Sequence, residues 1–168
     1  MRKRLGETAQ RISPATFRRE RLGALARREP TTIDQTATLA DAIRAMQAGA
    51  TRSVLVTEGD GRLVGILTER DVVGRVLAAD PAVDEQAPVE RFMSPIRDAL
   101  TLDAELGQAL EILTRGGYQG LPLVDDDGRV AGHLDGRDIL EYIAVAFPQE
   151  VLNLPPRPHQ LMDQPEGA

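Results

Sequence analysis

The chain has 168 residues, 42% of them hydrophobic, with three Phe, two Tyr, no Trp, no Cys and a formal charge of −6. That suits one compact domain with tails, its core built from Leu, Val, Ile and Ala, and it excludes a disulfide framework, a thiol nucleophile and a thiolate metal site. No apolar run is long enough for a membrane span and no signal-peptide core is visible, so a cytoplasmic protein with no membrane partner is expected.

The charge is unevenly spread. Residues 1–30 hold nine basic and three acidic side chains, and the remainder holds eleven basic and twenty-three acidic ones. Residues 1–29 therefore read as a basic, partly helical arm on an acidic body. Ser13-Pro14 is a helix start signal, and Phe17, Leu22, Leu25 and Ala26 make a modest apolar stripe that Pro30 closes. Such an arm can bind nucleic acid, or it can lie on the acidic body of its own chain or of a partner. Aromatic residues for stacking on single strands are missing, which weakens the nucleic-acid alternative.

After the arm, Thr31-Thr32-Ile33 is a short extended segment. Leu39, Ala42, Ile43 and Met46 recur at helical spacing, with Thr38 as cap and Gly49 as stop. Residues 53–57 form an apolar run of strand length, 58–61 a turn and 62–67 a second strand. A helix starts at Thr68 and runs through Val72, Val73, Val76 and Leu77. The same plan then returns. Leu106, Ala109, Leu110 and Leu113 mark a helix ending at Gly116-Gly117, and strands at 121–124 and 129–134 flank the turn at 125–128. Ile139, Leu140 and Ile143 mark the closing helix. The Pro-rich tail, residues 148–168, carries an apolar cluster of Val151, Leu152 and Leu154, expected to pack on the module or on a second subunit.

The two halves are copies. Residues 33–77 shifted by 67 positions fall without a gap on residues 100–144. Asp60, Gly61, Arg62, Gly65, Leu67, Arg70 and Asp71 are identical to their counterparts. The predicted fold is α+β: two β-α-β-β-α repeats, residues 30–84 and 85–147, packed with pseudo-twofold symmetry. Such packing creates two related clefts, and function is sought there.

Gly65-Ile-Leu-Thr-Glu-Arg-Asp71 and Gly132-His-Leu-Asp-Gly-Arg-Asp138 close the two repeats, and Phe92-Met-Ser-Pro95 precedes the second. With the strand start at residues 117–124, these motifs resemble the cystathionine-β-synthase (CBS) domain in tandem, also called a Bateman module. The resemblance covers residues 30 to 147. It implies regulatory adenosyl ligands, with AMP, ADP or ATP ahead of NAD or S-adenosylmethionine, and it implies a homodimer. By the same resemblance Thr68 meets the phosphate side, Asp71 the ribose and Arg52 the phosphate, while Ile66 and the Thr32-Ile33 main chain frame the base. Gly65 is expected to let backbone approach the ligand. A local alternative also accounts for Thr68 and Asp71: the spacing is that of a capping box, in which the two residues start their own helix.

The second repeat departs from the pattern. Asp135 stands in the place of Thr68, Gln119 in that of Arg52 and His133 in that of Ile66, while Asp138 keeps the ribose carboxylate. Asp135 remains a good helix cap but a poor neighbour for phosphate. One competent cleft is therefore expected, with a second that is degenerate or prefers an uncharged adenosyl group. His133 reads as a strand residue lining that second cleft. With only two histidines and no ligand spacing there is no metal site to predict, and no nucleophile elbow or phosphate loop appears. The expected function is a non-catalytic module that signals adenine-nucleotide binding through a conformational or oligomeric change to an unidentified effector protein. The alternative is a dimeric scaffold, indifferent to nucleotides, acting through its arm or tail.

Overall fold

The computed structural model describes residues 14–26, 28–77, 84–118 and 120–146. Most of the basic arm's first half, Gln119 and the Pro-rich tail lie outside the described residues.

Two short helices open the chain, α1 (Pro14–Arg18) and α2 (Leu22–Leu25). The arm was expected as a single helix. It breaks at residues 19–21 because Leu22 N–H donates to the Ala104 carbonyl (3.0 Å) and Gly23 N–H to that of Leu102 (2.9 Å). The first repeat then supplies β1 (Thr32–Asp34), α3 (Leu39–Ala48), β2 (Ser53–Thr57) and β3 (Leu63–Thr68). One α-helical turn, α4 (Glu69–Asp71), runs on as a π-helical stretch over Val72–Leu77. A 3-10 turn at Val89–Arg91 leads to β4 (Ser94–Pro95). The second repeat supplies β5 (Leu100–Thr101), α5 (Leu106–Gly116), β6 (Gly120–Val124), β7 (Val130–Asp135) and α6 (Gly136–Ala146).

The helix boundaries follow local chemistry. Thr38 caps α3 through a capping box with Asp41, and α5 ends where Gly117 takes a left-handed φ of 62° that a side chain would resist. Strand order is β1-β2-β3-β4 in one sheet and β5-β6-β7 in the other. In each sheet the first pair is parallel and the next antiparallel, with the same register irregularity after Val56 and after Leu123.

The duplication becomes a twofold relation at the hairpins. Arg62 pairs with Arg129, its own counterpart. Leu63 N–H donates to Gly128 O (3.0 Å), and Val130 N–H, the equivalent group, donates to Gly61 O (3.1 Å). The relation also reaches into the arm. Leu106 N–H donates to Glu20 O and Leu22 N–H to Ala104 O; in the first half Leu39 N–H donates to Ala87 O and Val89 N–H to Ala37 O. Each half is thus completed by a segment that precedes the other half in sequence.

The cores obey this exchange. Val89 is buried with Leu39, Ala42, Val54, Val56 and Leu67 of the first repeat. Leu22 and Leu25 are buried with Leu106, Leu121, Leu123 and Leu134 of the second. The basic side chains follow: Arg18 pairs with Glu111 at 2.7 Å, and the Phe17 and Tyr142 rings stack at 5.8 Å. In its described residues, the arm lies on the acidic body of its own chain.

Gly65 has a different reason from the one expected. It lies inside β3, and a Cβ there would fall 2.2 Å from the Met93 sulfur. That face of Gly65 is covered by the Met93 side chain of the segment leading to β4, and Gly65 pairs with Pro95 across the sheet.

Candidate functional site

In β2 and β3 side chains alternate between two faces. Val54, Val56 and Leu67 point into the first core, and Ile33 packs there with them. The register pairs Ser53 with Thr68, and Leu55 with both Ile66 and Thr32. Thr32, Leu55 and Ile66 therefore form a row across the opposite face, with Ser53 and Thr68 beside it. Ile33 contributes nothing to that face through its side chain, and its carbonyl accepts from Thr57 Oγ1 (3.4 Å). β1 is the edge strand, and with Thr31 and Ile33 bonded toward β2, Thr32 turns its main chain to the open edge.

Thr68 and Asp71 form the capping box. Asp71 N–H donates to Thr68 Oγ1 (3.2 Å), while Thr68 donates to Asp71 Oδ2 from its N–H (3.0 Å) and from its hydroxyl (2.6 Å). The other oxygen of Asp71 is met from outside its own repeat, by the Ser94 hydroxyl at 3.0 Å. Arg75 lies 3.4 Å from that oxygen and donates to the carbonyls of Phe92 and Met93, tying the π-helical stretch to the segment before β4. Arg52 belongs to this end of the sheet: its carbonyl accepts from Glu69 N–H (2.9 Å), and its mostly exposed side chain lies 4.0 Å from the Glu69 carboxylate. The structure thus brings Arg52, Thr68 and Asp71 together, with Ile66 on the same face.

Thr32 has other company. It lines a cavity of about 370 Å³ with Glu29, Pro30, Thr57, Gly61 and Val130, the last from the second repeat. A related cavity of about 460 Å³ is lined in part by Ala99, Thr101 and Val124, with Ala99 and Val124 the counterparts of Thr32 and Thr57. Neither cavity is lined by Thr68 or Asp71, so Thr32 borders the hairpin cavity as well as sharing a sheet face with Ile66 and Thr68.

In the second repeat Asp135 caps α6, accepting from Arg137 N–H (2.7 Å) and Asp138 N–H (3.1 Å). Asp138 is buried. Its Oδ2 accepts from Asp135 N–H (2.9 Å), and Arg28 Nε lies 3.5 Å from its Oδ1. Arg28 also donates to Glu141 at 2.8 Å. The hydrogen bond to Glu141 and the charge of Asp138 raise the Arg28 pKa above its ordinary value, so the guanidinium stays charged.

His133 pairs with Pro122 on the face away from the second core, as Ile66 does in the first repeat, and its ring covers Gly120. Its buried Nε2 has no hydrogen-bond partner among the described residues. Burial pushes the His133 pKa below the usual imidazole range, opposed by the nearby charges of Asp135 and Asp138. Folded His133 is therefore neutral where an unfolded one takes a proton. Stability is full above about pH 6.5 and falls as pH drops from there toward the folded value. Replacement by the first repeat's residue, His133→Ile, is expected to flatten that acid-side loss and to raise stability by about 1 kcal/mol, because a buried unpaired nitrogen is removed. Urea titrations between pH 5 and 8 read both effects, and an unchanged pH slope would contradict the burial assignment.

Ser94, Arg75 and Arg28, the neighbours of the Asp71 and Asp138 carboxylates, were not singled out as candidates in the sequence. Ser94 stood within the Phe92-Met-Ser-Pro95 motif, which was a signal for it; Arg28 was hidden among the other basic residues of the arm. Among the described residues no three His, Asp or Glu side chains cluster as metal ligands, and no helix is long and apolar enough to cross a membrane.

A sequence model of the CBS domain matches residues 22–78 and 84–145. Its first match begins at Leu22, the residue that packs into the second core. A 17.7 kDa protein of Acidianus ambivalens is 33% identical over 102 residues, which cover 61% of this chain and 60% of that protein's length. Among solved structures, a CBS domain protein of Pyrobaculum aerophilum complexed with AMP superposes with a TM-score of 0.63 at 22% identity, over 75% of this chain and 99% of that one. The CBS domain pair of protein MJ0100, in complex with 5′-methylthioadenosine and S-adenosyl-L-methionine, gives a TM-score of 0.65 at 20% identity, over 75% of this chain and 97% of the other. At those identities the likeness establishes the shared fold.

Proposed function

The chain belongs to the CBS domain family, and from that premise we propose that it is a non-catalytic regulatory module for an adenosine-containing ligand of the AMP, ADP or ATP class. One observation carries this reading: the intact Arg52, Thr68 and Asp71 set gathers at one end of the first sheet, where Ser94 of the segment leading to the second repeat closes on Asp71. A ribose donating its hydroxyls to Asp71 would replace or join Ser94 there, with the Thr68 hydroxyl and Arg52 on the phosphate side. Ile66 offers the apolar neighbour for the base.

Because Ser94 lies on the segment that closes the first half and then leads on to the second, occupancy at Asp71 would change how firmly that connecting segment is held. A ligand shifts an equilibrium by its differential affinity for the two arrangements. The output would be a conformational or oligomeric change, read by a second copy or by an effector protein.

The scaffold reading has its own support, since both carboxylates already have internal partners, Asp71 in Ser94 and Arg75, and Asp138 in Arg28. Thermal unfolding with AMP, ADP, ATP, NAD and S-adenosylmethionine separates the two. A ligand at a hundred times its dissociation constant adds about 2.7 kcal/mol, a rise of roughly 5–10 °C for a chain of this size. A selective rise supports the sensor. No rise with any of the five transfers the weight to the scaffold.

A further inference from the structure

We propose that Arg28 is a latch on the second cleft: its guanidinium occupies the Asp138 carboxylate that the ribose of an adenosyl ligand would need, so binding there requires Arg28 to let go. This rests on the reading of the module as an adenosine binder. Asp138 is among the most buried polar residues described, its side chain 5% exposed, and a carboxylate so enclosed needs partners for both oxygens. Asp135 N–H supplies one and Arg28 the other. Arg28 is itself steadied by Glu141, so the contact is a charged cluster and not a single swinging side chain.

The first repeat shows what is distinctive here. There the segment closing on Asp71 presents the neutral Ser94 hydroxyl, and the nearby cation, Arg75, comes from the same helix as the carboxylate. In the second repeat the closing segment itself carries the charge. Moving a cation away from a buried carboxylate leaves that charge without its counter-ion until the ribose hydroxyls replace it, a cost that moving the neutral Ser94 hydroxyl does not carry. Arg28 also lies between Leu25, anchored in the second core, and Thr32, which borders the cavity shared with Val130. Its release would be transmitted along this short stretch to the edge strand β1.

The test uses adenosine, which has ribose hydroxyls but no phosphate for Arg28 to attract. Calorimetric titrations compare the full chain carrying Asp71→Asn, which silences the first cleft, with the same chain carrying in addition Arg28→Ala or Arg28→Gln. The latch requires adenosine to bind about two- to fivefold more tightly once Arg28 is gone, the range of a modest ion pair with one solvent-facing partner. Equal or weaker binding in both folded variants overturns it, because Arg28 would then be idle or a ligand contact. Binding at the first cleft of the wild-type chain, with none at the second in any variant, overturns the latch and leaves the proposed function standing. Absence of binding by any adenine compound to the wild-type chain removes both.

Discussion

Deleting residues 1–29 is expected to unfold the second repeat, and Leu22→Ala alone is expected to cost about 2–5 kcal/mol. A basic arm resting on the surface would predict a change within about 0.5 kcal/mol. The difference arises because Leu22 and Leu25, 0% and 3% exposed, are core residues of the second half. Deletion would also leave Leu106 N–H without its Glu20 acceptor and the Ala104 and Leu102 carbonyls without their donors. Against a typical total of about 5–15 kcal/mol, losing two buried leucines and three main-chain bonds is decisive for one half of the molecule. The first core, closed by Val89, keeps its own packing. Amide hydrogen exchange should therefore show β6, β7 and α5 losing protection before β2, β3 and α3. An unchanged urea midpoint for Leu22→Ala would sink this account. The same deletion is a poor test of nucleic-acid binding, since it removes part of the core along with the charge.

Asp71→Ala is expected to abolish binding of the AMP-class ligand at the first cleft while costing the fold only about 1–2 kcal/mol, the usual range for a lost cap. Both parts follow from the same geometry. Asp71 Oδ2 completes the capping box, but the helix it starts is one α-turn and is tied to the Phe92–Ser94 segment by Arg75 through two carbonyls as well. Among the described residues Thr68 and Ser94 hydrogen-bond to no carboxylate but Asp71, so none replaces it as acceptor for ribose hydroxyls. Calorimetry on the variant, with a melting curve to establish folding, reads both. Binding that survives at wild-type affinity would mean that the capping role is the only one Asp71 has.

In the sequence capping and ligand binding are alternative reasons for Asp71, and in the structure its two oxygens have different partners. The capping hydrogen bonds take Asp71 Oδ2, whereas Oδ1 faces Ser94. A carboxylate has lone pairs for both tasks, and a helix start held by its own cap presents Oδ1 in one orientation. The second repeat uses the same economy, with Asp135 as cap and Asp138 turned to Arg28.

What could be read along the chain was whatever is written in short spacings or in self-comparison. Helical periodicity, the capping residues Thr38 and Thr68, the hairpin turns and the duplication are of this kind, because residues three or four apart on a helix, or two apart on a strand, meet whatever the rest of the chain does. The gathering of Arg52, Thr68 and Asp71 followed almost as directly, since β2 and β3 are joined by one tight turn. Other features had no such local trace. Ser94 reaches Asp71 across 23 residues and Arg28 reaches Glu141 across 113. Leu22 looks like any residue of an amphipathic arm until α5 and β6 surround it, Thr32 belongs with Val130 only once the hairpins have paired, and Gly65 makes room for Met93. These depend on which segment closes which half. A 67-residue repeat allows its lead-in segment to pack on its own copy or on the other, with the same hydrophobic pattern satisfied either way, and the choice is made by packing in three dimensions.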